Sequence, residues 1–287
     1  MNGYAAAAIA VLIWASYPVA TRAGVTGSFE PQDLVLLRFG IGALLFLPYV
    51  MLHWRRIGRA AWLQGIALTL FQGAGMGALA ICGMQLAPAN HAAALGPGAN
   101  AAWVALLGLL LFAKRPSTRA IVGSALTVAG IALIALWSAA ELSASVLAGD
   151  AMFLAASALG ALYVLQLRNW GIHPMQGAAI VSLYSALLVV PYCLWSGSGG
   201  LREAHLGDLL WQLLWQGLLI GCVALVALNY AISRLGSERS SALVALVPVL
   251  TAFLAMVFLG EKPSAVEVAA FVAISCGVSI AAAPAPA

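Results

Sequence analysis

The sequence predicts an all-α integral membrane protein whose ten transmembrane helices form two inverted five-helix repeats. Composition is the first reason. Of the 287 residues, 63% are hydrophobic and 8% are charged, where a soluble domain carries about 25% charged residues; the mean hydropathy is +1.01. The second reason is a regular succession of apolar runs of about 20 residues, the length that crosses a hydrocarbon core as a helix. The third is that the second half of the chain repeats landmarks of the first. A β-barrel is excluded because the runs are too long and lack alternation.

Breaking the chain at charges, prolines and glycines places the helices near 3–22, 31–53, 62–83, 89–112, 118–137, 149–170, 174–196, 209–233, 238–259 and 264–283. Helix 1 has no basic segment ahead of it and runs on to about residue 22, so it reads as a span and not as a cleaved signal peptide. Helix 4 contains "NHAAALGPGANAAW" (90–103), in which Gly96, Pro97 and Gly98 interrupt the run. Proline removes a backbone donor and crowds the carbonyl one turn earlier, so a kink or unwound turn is expected there. Helix 9 carries Pro248 in its middle. The loops leave no room for a soluble domain, and the "PAPA" tail is expected to be disordered. Cys82, Cys193, Cys222 and Cys276 fall inside apolar runs without CxxC or CxxH spacing, so they read as small core residues and not as a disulfide or zinc framework.

With the N-terminus inside, one face of the membrane holds Arg55, Arg56, Arg59, Lys114, Arg115, Arg119, Arg168, Arg234 and Arg239, and the other only Arg22, Arg202 and Lys262. The excess of cations on the cytoplasmic side predicts that both termini are cytoplasmic. The net charge of +4 fits membrane orientation better than nucleic-acid binding.

The repeat is legible in register. Shifted by 143 residues, Pro31, Pro48 and Tyr49 fall on Pro174, Pro191 and Tyr192; shifted by 147, "LLLFAKRPS" (109–117) falls on "MVFLGEKPS" (256–264) and Gly130 on Gly277. Two halves follow, residues 1–143 and 144–287, together making one membrane domain. Five is odd, so the second half enters the membrane upside down. That is the inverted-repeat plan of secondary transporters, with a substrate site near the midplane and interrupted helices as gates.

The stretches "WASYPVATRAG" (14–24), the "P…R" start of helix 2 and "ALVALVPVLTAFLAMVFLGEKPS" (242–264) resemble the drug/metabolite transporter superfamily, specifically its ten-helix EamA-type metabolite and amino-acid exporters, those for aromatic amino acids included. The first-half turn departs from that pattern, with Lys114 where the second half has Glu261. The resemblance covers essentially the whole chain. It implies a membrane exporter of amino acids or related small metabolites, not an enzyme, in the cytoplasmic (inner) membrane, working by alternating access.

Polar and aromatic side chains mark a cavity lined by helices 1, 3, 4, 6, 8 and 9, with 5 and 10 peripheral. Its candidates are Trp14 and Tyr17, Gln72 and Met76, His91, Asn100 and Trp103, Tyr163 and Gln166, and Asn229. Hydroxyls, amides and rings around an apolar cavity suit a zwitterion with a variable side chain. Gate or hinge roles are expected for Arg38, Gly96, Pro97, Gly98 and Pro248. Arg38 lies seven residues past Pro31 in the run "LVLLRFGIGALLFLPY" (34–49), deep enough to need a partner from another helix or from the substrate unless it snorkels to the headgroups.

No Asp or Glu is expected deep in a helix, so a carboxylate proton relay is not anticipated, and His91 reads equally as a helix-start cap. A membrane-embedded enzyme would want paired carboxylates or a His/Asp cluster. A nucleotide-sugar antiporter would want several cations for the diphosphate. The alternative that stays open is a multidrug exporter of lipophilic or cationic compounds held by aromatic walls. No cofactor, metal or nucleic acid is expected; the partners are a small-molecule substrate and the lipid bilayer, and a monomer suffices.

Overall fold

In the computed structural model, residues 2–113, 115–141, 143–197, 199–235 and 243–282 are described. The "PAPA" tail, Lys114, Arg239 and the expected start of helix 9 lie outside them. Among the described residues every regular element is helical. We number the segments α1 (Gly3–Val25), α2 (Pro31–His53), α3 (Arg59–Leu86), α4 (Ala89–Phe112), α5 (Thr118–Glu141), α6 (Ala144–Asn169), α7 (Pro174–Ser196), α8 (the consecutive stretches Leu206–Gln212, Leu213–Val223 and Ala224–Leu235), α9 (Val247–Leu259) and α10 (Ala265–Ala282). A one-turn helix, Gly199–Glu203, precedes α8. Eight of the described helices, α1–α7 and α10, are long and apolar enough to cross a membrane, and α9 is a shorter apolar helix. Leucines and tryptophans on the outer surfaces, such as Leu52, Leu194 and Trp195, are largely exposed, as lipid-facing side chains are.

Local chemistry sets the helix ends. α2 opens with Pro31, and the Asp33 carboxylate accepts from the Glu30 amide at 3.0 Å, closing a capping box. α7 opens in the same way, with Pro174 behind a His173 cap whose Nδ1 accepts from the Met175 amide. The two repeat-related turns both leave their helices through a left-handed residue, Ala113 (φ 51°) after α4 and Gly260 (φ 69°) after α9. Glycine meets that conformation without a Cβ clash, whereas Ala113 adopts it at a cost.

Several helices are broken. α4 passes through a π-helical stretch, Ala94–Gly98, at Pro97, and the Ser157 hydroxyl of α6 donates to the Gly96 carbonyl there at 2.6 Å. Pro248 was expected in mid-helix; it sits instead in the first turn of α9, where its missing N–H leaves no partner unsatisfied. α3 was expected to be continuous but breaks at Gly73, where the Ser185 hydroxyl accepts from the Ala74 amide at 3.0 Å. α8 is π-helical over Leu213–Val223.

Packing follows a paired pattern. α5 lies along α10 and α2 along α7; α3 and α4 pack on α6, while α8 and α9 pack on α1. The α5–α10 contact is made backbone to backbone. A methyl group at Gly277 would sit 2.5 Å from Gly123 O and Thr127 Oγ1, and one at Gly130 would sit 2.8 Å from Ala270 O. Small residues of this kind let membrane helices approach closely enough for dispersion to hold them. Of the cysteines, Cys193 is buried and Cys82 half-buried, but Cys276 is exposed on α10, so the core reading does not extend to it.

Gly277→Ala is expected to destabilise the protein by about 1–3 kcal/mol, the usual range for overpacking a tight contact. Thermal melting in detergent should therefore show a lower midpoint, while Gly207→Ala, where nothing lies within 4 Å of the added carbon, leaves it unchanged or raised.

Candidate functional site

Arg22, Glu261, Asp150 and Glu267 converge at the end of the bundle where α1 finishes. Arg22 occupies the last turn of α1, where the helix dipole favours a cation. Its Nε donates to Glu261 Oε1 at 2.5 Å, and its Nη1 donates to the carbonyls of Met84 (2.5 Å) and Ala87 (2.6 Å). Glu261 Oε2 accepts in turn from the Ala89 amide at 2.9 Å. One guanidinium thus ties the end of α1 to the α3–α4 junction and to the α9–α10 turn. The pair is mostly enclosed, with 20% and 15% of the two side chains exposed. A charge-assisted contact of that kind is worth more than a surface ion pair.

His91 lies beside this clamp, fully buried in the first turn of α4. Its Nδ1 is 2.8 Å from Asp150 Oδ1 on α6, and its Nε2 is 2.7 Å from Glu267 Oε1 on α10. Each carboxylate is satisfied on its other oxygen. Ser138 of α5 donates to Asp150 Oδ2 at 2.8 Å, and the Ser264 amide donates to Glu267 Oε2 at 2.6 Å. The Glu267 amide donates back to Ser264 Oγ, so Glu267 also caps α10. Phe271 meets the imidazole edge-on, with ring centroids 6.5 Å apart. This is not a metal arrangement, because the ring separates the two carboxylates and the three groups share no vertex. Among the described residues, no three His, Cys, Asp or Glu side chains converge on a metal position.

The structure places His91, expected in the cavity, in a buried polar cluster with two carboxylates, Asp150 and Glu267, that sequence reasoning left at separate helix ends. Asp150 and Glu267 are within two turns of their helix starts, as the sequence indicates. Three helices entering at the same end bring those starts together over 59 and 176 residues of chain.

Arg38 finds its partner on another helix. Its Nη1 donates to Tyr17 Oη at 2.6 Å, and its guanidinium lies over the rings of Tyr17 and Phe39, 5.2 and 5.5 Å from their centroids. Gln72, Met76 and Asn100 meet around Gly160 of α6, where a Cβ would find Asn100 Nδ2 at 3.3 Å, Gln72 Oε1 at 3.5 Å and Met76 Cε at 3.9 Å. Asn100 Nδ2 also donates to the Ser157 carbonyl at 3.3 Å. Trp14 packs against the cluster of Val11, Ala15, Ala93 and Val247, and Gly98 faces Pro248, with 3.8 Å from a Cβ placed at Gly98 to Pro248 Cγ. The π-helical break of α4 therefore lies against the first turn of α9. Tyr163 Oη lies against Gly177 of α7, Trp103 and Gln166 are half-buried, and the Asn229 side chain is outside the described residues. Two apolar crevices, one of about 420 Å³ between α2 and α7 and one of about 680 Å³ along α3, contain none of these residues.

Sequence reasoning missed Gln212, Gln216 and Thr251. Gln212 Nε2 donates to the Ala20 carbonyl, Gln216 Nε2 to Thr21 Oγ1 at 2.9 Å, and Thr251 Oγ1 to the Ala15 carbonyl. Amides at 212 and 216, one turn apart in an apolar run, were the signal available.

The model of the EamA-like transporter family matches two successive stretches, residues 1–136 and 147–283. The chain belongs to this family. It is a multi-pass membrane transporter and not an enzyme. The threonine/homoserine exporter RhtA of Salmonella typhimurium is 29% identical to it, over 93% of this chain and 88% of RhtA. An uncharacterised transporter of Archaeoglobus fulgidus is 26% identical over 89% of both chains. A crystal structure at 20% identity superposes with a TM-score of 0.62, covering 97% of this chain and 96% of its own, and shares the fold.

Arg22→Ala and Glu261→Ala should each lower stability, and their combination by less than the sum. Thermal melts of the double-mutant cycle are expected to give a coupling of about 1–3 kcal/mol; full additivity would mean that the contact holds nothing together.

Proposed function

We propose that this transporter exports small amino acids or related metabolites across the inner membrane by alternating access between two inverted five-helix halves, residues 1–143 and 144–287. The observation that carries the substrate class is the likeness to a threonine/homoserine exporter along nearly the whole chain. Uncharged polar groups around Gly160, namely Gln72 and Asn100 with Met76 beside them, suit the ammonium and carboxylate of a zwitterion. The acidic groups that could favour a cationic drug, Asp150, Glu261 and Glu267, are each engaged by a protein partner instead.

Three features support inverted halves. One family model matches each half. The α5–α10 contact is its own mirror, since the 147-residue shift carries Gly130 against Ala270 onto Gly277 against Gly123. The left-handed exits at Ala113 and Gly260 are related by the same shift. With the termini in the cytoplasm, the Arg22–Glu261 clamp faces outward and the structure is closed on that side. α4 and α9, which meet at Gly98 and Pro248, are then the hinges, and Arg38 on Tyr17 braces α1 against α2 near the outer gate.

Purified protein in liposomes should release labelled threonine faster than protein-free vesicles, with homoserine competing. Movement of a lipophilic cation without any amino-acid flux would overturn this reading in favour of a multidrug exporter.

A further inference from the structure

We propose that the His91–Asp150–Glu267 cluster is a proton-binding site, occupied when the Arg22 end is closed and emptied when that end opens. The geometry carries it. Both ring nitrogens lie within 2.8 Å of carboxylate oxygens, and each such contact needs a proton between nitrogen and oxygen. A neutral imidazole brings only one. The closed arrangement therefore holds a second proton, either on the imidazole or on one of the carboxyl groups. Removing it leaves a bare nitrogen lone pair facing a carboxylate lone pair at hydrogen-bond distance around a fully buried ring, and that contact must separate.

Separation reaches the clamp directly. Glu267 caps α10 through Ser264, and Ser264 closes the turn that carries Glu261. His91 lies two residues after Ala89, whose amide donates to Glu261. The groups around the imidazole are Asp150 from α6, Glu267 and Phe271 from α10, and Ser138 of α5 behind Asp150. Arg22 of α1 and Glu261 are paired with each other, and the α3–α4 junction presents the Met84 and Ala87 carbonyls to Arg22.

The inference rests on the transporter reading for its meaning, since opening of this end is what export needs, but its test uses no substrate. Hydrogen exchange of peptides covering 84–91 and 259–267 is followed from pH 5.5 to 8.5 and corrected for intrinsic rates. One proton released per opening raises the opening equilibrium about tenfold per pH unit above the site's titration, so protection should fall by about that factor. Asp150→Asn removes the requirement, because its amide can donate to His91 Nδ1 while its carbonyl accepts from Ser138, and the closed cluster is then complete with neutral imidazole. Its protection should be flat with pH. Unchanging protection in the native protein, or the same pH slope in the variant, would overturn the proposal. Should the variant not fold, ring-nitrogen shifts of His91 decide it in a chain with His53, His173 and His205 replaced by Gln. Two contacts bearing two protons at low pH and loss of one as pH rises are expected, and a cluster holding a single proton throughout would overturn the proposal.

Discussion

A guanidinium or carboxylate taken out of water costs several kcal/mol unless a protein partner replaces the solvent, and in this chain the polar architecture follows from that constraint. Charged groups lie at helix ends, and one end gathers the ones that reach inward. Arg22 spends its donors on Glu261 and two backbone carbonyls. Asp150 and Glu267 share His91 and take their remaining bonds from a hydroxyl and a backbone amide. These groups come from α1, α3, α4, α5, α6, α10 and the α9–α10 turn, so meeting the electrostatic demand also fixes where those helix ends sit.

A closure made of polar contacts can be undone. An apolar seal in lipid would gain little from water leaving, because lipid tails solvate leucine as well as a neighbouring helix does. A network of ion pairs and hydrogen bonds has two well-defined states, made and broken, and is responsive to ligands that favour one of them. The rest of the bundle is suited to such a change. α5 and α10 are held by close backbone contact at Gly123 and Gly277, whereas α3, α4 and α8 contain breaks or π-helical turns, and α9 carries a proline in its first turn. In the alternating access proposed above, the close-packed pair stays in place while the broken helices take up the motion.

Much of the fold was legible because lipid leaves few options. Run lengths located the eight spanning helices, and the 147-residue register links the Ala113 and Gly260 turns that share a left-handed geometry. Interruption at Pro97 was also readable, since the missing N–H is a property of the residue and not of its context. Gly73 was not, because a lone glycine in an apolar run breaks the helix only when something such as Ser185 takes the exposed amide. The site was harder. Gln72, Met76 and Asn100 do meet, but His91, counted with them, is drawn to Asp150 and Glu267. Helix starts carrying those carboxylates looked peripheral one at a time, and only the packing of α4 between α6 and α10 shows that they face one another. Arg22, counted as an outer-face cation, and Glu261, read as a turn charge, escaped for the same reason.

The most direct measurement is the distance between spin labels placed at the exposed positions Thr26, after α1, and Lys262, in the α9–α10 turn, by pulsed electron resonance in lipid nanodiscs with and without threonine. The alternating access proposed above requires rupture of the Arg22–Glu261 clamp, and so a second, longer separation whose population changes with threonine. A single distance, the same in both conditions and throughout turnover, would contradict opening at this end.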